Sequence, residues 1–163
     1  MKSERFTGGA DKATDQATED QWNFNAHVSQ ARNECIHDLI KAQAGGHPGK
    51  VALHSSKEDL TYGELDKLSD KLAHRLAGLG VRVDEVVPLC FEKSVWTVVA
   101  MLGVLKTGAA FVLIDVALPV KRLQSIVQQC HATRVCSSAE QQSLSNHFGI
   151  EVVTIERIAL DGY

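Results

Sequence analysis

The chain alternates between segments with one apolar face, short runs that are apolar throughout, and polar connections. The strongest periodic signal is LTYGELDKLSDKLAHRLAGLG. Leu65, Leu68, Leu72, Leu76 and Leu79 recur there at spacings of 3, 4, 4 and 3, which predicts a helix with one leucine face. Thr61 and Glu64 have the spacing of a capping box at its start, and Gly78 and Gly80 end it. Asp66, Asp70, Lys67, Lys71 and Arg75 read as its solvated face, with the Asp66–Asp70 repulsion offset by neighbouring lysines. Upstream, Ile36, Leu39 and Ile40 predict a short helix over 34–43. Residues 44–50 read as a stop and a turn, Val51 to His54 as a strand, and Ser55 to Asp59 as a polar turn.

Downstream, VVPLCF (86–91) predicts a strand, weakened by the donor that Pro88 lacks. Ser94 is placed to cap a helix from Val95 to Lys106. That helix is apolar almost all round, so it expects burial on more than one side, and Trp96 is assigned to the core. Lys106 suits the negative C-terminal end of the helix, and Gly108 stops it. AAFVLI is a continuous apolar strand, the pattern of a sheet covered on both faces. Pro119 opens a helix with Leu123, Ile126, Val127 and Cys130 inward. ATRVCSS predicts a short strand, Ala139 to His147 a helix, and EVVTI (151–155) a last strand. From residue 60 onward helix and strand alternate, which implies parallel strands joined by right-handed crossovers. The predicted class is α/β, a Rossmann-like, mostly parallel sheet with flanking helices.

The run 95–114 resembles a membrane span, but Lys106 and Gly108 interrupt it, and neither half reaches the roughly 20 apolar residues a span requires. Residues 1–20 are polar and are expected to form a disordered tail or linker, with Trp22 and Phe24 as the first ordered contact of a unit over 21–163. The first twenty residues lack the apolar segment of a secretory signal. Composition changes this picture little: 44% hydrophobic and 23% charged residues are globular averages. A net charge of −3 argues against nucleic acid as a partner. Four cysteines are too few for a disulfide scaffold, so a reducing, cytoplasmic compartment is expected.

No segment carries complete chemistry. AGLGVRV lacks G-x-G-x-x-G and lies at a helix end. GGHPGKVA is no phosphate loop, because Val51 follows Lys50 where serine or threonine is needed. Cys130, His131, Cys136 and His147 match no zinc spacing, and Cys35 with His37 forms a C-x-H pair without partners, so no metal is expected. There is no G-x-S-x-G elbow.

CIHDLIKAQA, LTYGELDKLSDKLAHRLAGLGV, VVPLCFEKSVWTVVAMLGVLKTGAAFVLID and PVKRLQSIVQQ together resemble the start of an adenylation domain of a nonribosomal peptide synthetase, fungal type. LTYGEL is similar to the family's first core motif and LKTGAAFVLID to its second. The resemblance covers about residues 22–163, and WNFNAHV looks like the segment leading into such domains. It implies an incomplete N-terminal subdomain of the adenylate-forming fold. It also implies a family chemistry: a carboxylate attacks the α-phosphate of ATP, with Mg²⁺, giving an acyl-adenylate and pyrophosphate, and the acyl group then passes to a carrier-domain thiol. The family's phosphate loop, substrate pocket and catalytic lysine come after the stretch resembled. The resemblance therefore assigns no catalytic, cofactor-binding or metal residue here, and ATP and Mg²⁺ belong to the complete domain. Thr61, Tyr62, Glu64, Leu65, Leu105, Lys106, Gly108 and Asp115 are motif matches with expected packing or capping roles. Leu113, Val116 and Ala117 stand where the family commonly has prolines or a Pro-Ser pair, which is expected to loosen that turn. The reading is of a fragment of an amino-acid-activating domain that is inactive alone. The alternative is a non-catalytic interaction module that docks onto a separate remainder or onto carrier or condensation domains. Self-association is expected, and neither nucleic acid nor membrane is expected as a partner.

Overall fold

The computed structural model describes residues 33–156. The chain divides into Met1–Asn33 and Glu34–Tyr163, and every element below belongs to the second unit. The expected tail over 1–20 and the contact at Trp22 and Phe24 lie outside the described residues.

Helix α1 (Ile36–Gly46) leads into a two-stranded antiparallel hairpin, β1 (Val51–His54) with β2 (Asp59–Thr61). Then come α2 (Tyr62–Gly78), β3 (Val86–Cys90), α3 (Val95–Lys106), β4 (Ala110–Leu113), α4 (Val120–Gln129) and β5 (Arg134–Ser137). A short helix α5 (Gln142–Ser145), a 3₁₀ turn (Asn146–Phe148) and β6 (Glu151–Thr154) complete the described part. Strands β3 to β6 form one parallel sheet in the order β4-β3-β5-β6, so the expected α/β sheet is present.

The sheet is covered on both faces, and alternation along the strands sorts the residues. Val87, Leu89 and Cys136 pack with the α2 leucines and with Val99 and Val104 of α3. Cys90 and Val135 point the other way, onto Leu123 and Val127 of α4 and onto Phe148. Pro88 is tolerated in a central strand because the β5 ladder begins only at Leu89.

Several boundaries differ from the sequence expectation. Helix α1 starts two residues later and runs on through Ala44, Gly45 and Gly46, because Ala44 is buried and His47 N–H donates to the Gln43 carbonyl at 2.8 Å. The polar turn is shorter than expected. Asp59 already belongs to β2, paired opposite His54, and Leu60 is fully buried. The helix expected over 139–147 is broken. Residues 139–141 fold back on Ser138, whose backbone carbonyl accepts the Gln141 N–H, and Gly149 at φ +71° closes the segment. Strand β4 lies at the sheet edge among the described residues; Ala109 and Phe111 pack into the larger cluster and Ile114 into the smaller, so the run meets both faces, with Leu113 left 53% exposed. Helix α4 begins at Val120 with Pro119 in the cap position, and Cys130 caps its other end.

The capping box is formed as expected. The Glu64 N–H donates to Thr61 Oγ1 at 3.3 Å, and the Thr61 N–H donates to Glu64 Oε2 at 2.9 Å. Thr61→Ala is expected to cost about 1 kcal/mol, seen as a lower denaturant midpoint with an unchanged m-value.

Candidate functional site

The two motif segments meet at the α2–α3 contact. Lys106, at the end of α3, reaches back to α2. Its Nζ lies 2.7 Å from Asp66 Oδ1 and 2.6 Å from Asp70 Oδ1, and it donates to the Asp66 carbonyl at 3.1 Å. The Lys106 side chain is only 9% exposed. Asp66 and Asp70 are therefore not a simple solvated face, and Lys106 does more than face a helix end. Arg75 likewise leaves the solvated face: its guanidinium donates to the Thr154 carbonyl at 3.1 Å. Tyr62, Leu65 and Leu105 line an apolar groove of about 360 Å³ with Ile40, Val98 and Phe111. Gly108 adopts φ +80°, and a Cβ there would sit 3.0 Å from Val83 Cγ2. Asp115 Oδ1 accepts the Ala117 N–H and its carbonyl accepts the Leu118 N–H, both at 3.0 Å, so the turn closes without the family's prolines. Thr61 and Glu64 thus form a cap, Tyr62, Leu65 and Leu105 line the groove, Gly108 and Asp115 shape turns, and Lys106 clamps α3 to α2.

Sequence reasoning missed two glycines on which the packing of α2 depends, one against the turn after α1 and one at the α2–α3 contact. A Cβ on Gly63 would lie 3.1 Å from the Pro48 carbonyl oxygen, which accepts the Gly63 N–H at 2.9 Å. Gly103 lets α3 close on Leu72 of α2. The signal for both was a glycine inside a helical pattern, which costs stability unless something must come close.

A second place has the topology of a ligand site. The chain leaves β3 for β4 and then crosses back to β5, so the strand order reverses between β3 and β5. In open α/β sheets ligands lie beyond the carboxyl ends of the strands at such a point. A cavity of about 230 Å³ is found there, lined by segments 92–96 and 138–140 and by the β1–β2 turn. Its polar groups are mostly paired. The Trp96 indole donates to Glu58 Oε1 at 2.7 Å, Ser138 Oγ donates to Glu92 Oε2 at 2.9 Å, and Lys57 Nζ lies 3.0 Å from Glu140. Trp96 is half-buried: its ring packs against the larger core cluster, as expected, and its indole N–H is anchored on Glu58. Ser94 does not cap α3 through its side chain, and its hydroxyl is buried without a protein partner. Desolvation raises the Glu92 carboxyl pKa, but hydrogen bonding to Glu140, its own backbone, Ser138 and Gln141 outweighs it and holds the group below its ordinary value.

The two buried thiols, Cys90 and Cys136, offer little nucleophilic chemistry. Burial pushes Cys136 up to about 12 and raises Cys90, so both stay protonated near neutral pH. Cys130, His131, Cys136 and His147 form no cluster of donor atoms among the described residues. The donors that do come together are Cys35, His37 and Asp38.

The family profile described as AMP-binding enzyme matches residues 40–161. The chain belongs to the AMP-binding enzyme family. It is 50% identical over 137 residues, 84% of its length, to the nonribosomal peptide synthetase dtxS1 of Metarhizium robertsii, of which it spans 2%. It is 39% identical over 153 residues, 94% of its length, to the peramine synthetase ppzA of Metarhizium majus, of which it spans 6%. Among solved structures it resembles the nonribosomal peptide synthetase FmoA3 in its α-methyl-L-serine-AMP bound form, with a TM-score of 0.73 and 25% identity over 78% of this chain and 14% of that one. The chain therefore corresponds to a small part of these AMP-binding relatives, and its fold is that of one portion of an adenylation domain. No helix among the described residues is long and apolar enough to cross a membrane.

Proposed function

We propose that this chain supplies the N-terminal structural layer of an amino-acid-activating domain of a nonribosomal peptide synthetase, in secondary-metabolite biosynthesis. The observation that carries this reading is the 50% identity to such a synthetase over most of the chain. The complete domain would join an amino acid to AMP, releasing pyrophosphate. The switch-point cavity does not fit the triphosphate of ATP. The switch-point cavity sets four carboxylates, Glu58, Glu92, Glu140 and Glu156, against two lysines, Lys57 and Lys93, and a triphosphate would meet a net negative wall. No step is assigned to these side chains, and the motif residues act by holding α2 and α3 in place. The four free cysteines suit a reducing cytoplasm. The purified chain is expected to show no amino-acid-dependent ATP–pyrophosphate exchange. Exchange above a buffer control with any proteinogenic amino acid would overturn the assignment of chemistry to other residues.

A second reading, an interaction module for a separate remainder or for carrier or condensation domains, draws on the apolar surface. Ile36 is 66% exposed beside the groove, and Leu113 lies on the open β4 edge. Such surfaces favour association. The isolated chain is expected to self-associate and to bind a hydrophobic dye. A dye-silent monomer with a sharp, cooperative melt would instead point to a self-sufficient small protein.

A further inference from the structure

We propose that Cys35, His37 and Asp38 form a binding site for a thiophilic divalent ion, with zinc as the best match. The thiol, one imidazole nitrogen and one carboxylate oxygen all lie within 4.8 Å of one another. The backbone explains the grouping. Cys35 is the extended cap residue of α1, at φ −73° and ψ 148°, and Asp38 occupies the third helical position. Side chains at these two positions face each other, as in a capping box. In α2 the same pair of positions is satisfied internally by Thr61 and Glu64. In α1 the Cys35 side chain makes no cap hydrogen bond, so its sulfur is uncommitted. His37 brings its Nε2 to 3.9 Å from Asp38 Oδ1.

The donor set selects the ion. Sulfur and imidazole favour zinc-like metals over magnesium or calcium, which take oxygen ligands. A tetrahedral zinc with bonds of about 2.0–2.3 Å spaces its ligands about 3.5 Å apart. The observed separations run up to 4.8 Å, so the donors must draw together by about 1 Å, and Cys35 and Asp38, both exposed, can rotate to do so. A thiolate and a carboxylate cancel the ion's charge. Cys35 and His37 also line a recess of about 390 Å³ beside Leu105, Gly108 and Ala109, which leaves the fourth coordination position open to water or a small ligand. This reverses the sequence expectation that the C-x-H pair lacked partners, since the third donor is the very next residue. The inference is independent of any role in adenylation.

The test uses the full chain, stripped with chelator and titrated with Zn²⁺ and with Co²⁺. One equivalent is expected to bind, with a thiolate-to-cobalt charge-transfer band. Cys35→Ser should abolish the band and weaken Zn²⁺ by about tenfold or more, and His37→Ala should weaken it comparably. Cys130→Ser should change nothing. Serine is itself a good cap residue, so Cys35→Ser should fold normally, which a melt confirms. No band in the wild-type protein, or unchanged Zn²⁺ affinity in Cys35→Ser, would overturn the proposal.

Discussion

Gly103→Ala is expected to destabilise the fold by about 2 kcal/mol, although alanine is the better helix former. The added Cβ would lie 2.6 Å from Leu72 Cδ2, 2.7 Å from its Cγ and 3.0 Å from its Cβ. Because the Leu72 Cβ itself is close, no rotamer of Leu72 clears the way, and α2 and α3 must separate. Leu72 is fully buried in the larger core cluster, so that separation loosens the sheet below. The change in helix propensity returns only about 1 kcal/mol. Leu72→Ala alone should cost about 3 kcal/mol through the cavity it leaves. In that background the two closest contacts, to Cδ2 and Cγ, are gone and only the 3.0 Å contact to Cβ remains, so adding Gly103→Ala should cost clearly less than it does in the wild type. Denaturant melts of the four proteins give the coupling. Additive costs would mean that the helices are not in contact at this point.

That contact also shows what the sequence could and could not reveal. The leucine spacing of α2 and the Thr61–Glu64 box are local signals, read within one helix, and both elements formed where expected. The parallel sheet was legible because helix and strand alternate with short connections. Strand β2 was not legible. DLT is three residues with an acid at its start, and only the pairing with β1 and the burial of Leu60 make it a strand. The end of α1 was misread because glycines signal a stop, yet the buried Ala44 keeps the helix going. Interactions across long separations were invisible: Trp96 to Glu58, Ser138 to Glu92, and Lys106 to Asp66. Each joins segments whose proximity exists only once the sheet has formed. The Cys35, His37 and Asp38 cluster sits at the other extreme. It is entirely local, but its third donor is recognised only when the helix start is known, since the cap geometry brings that carboxylate round to the thiol.

Lys106→Met is expected to cost about 2 kcal/mol. Methionine keeps much of the length and apolar stem of lysine, so the loss is mainly that of the charge. Removing one partner of a fully buried pair costs roughly 3–5 kcal/mol, because a charge is left behind without compensation. Here the Asp66 side chain is 19% exposed and that of Asp70 46%, so water recovers part of that cost. What remains is mainly Asp66, now facing an uncharged thioether in a half-buried seam, together with the repulsion between two carboxylates one helical turn apart. The size of the effect can be separated from lost packing. Neutralising the carboxylates with Asp66→Asn and Asp70→Asn in the Lys106→Met background should recover more than half of the loss. The same pair of changes in the wild-type protein should destabilise it, since the lysine would then be the buried charge without a partner. If Lys106→Met melts within about 0.5 kcal/mol of the wild type, the clamp contributes no more than an exposed ion pair. If the asparagines fail to rescue, the lysine acts mainly through its hydrogen bond to the Asp66 carbonyl, which methionine also lacks.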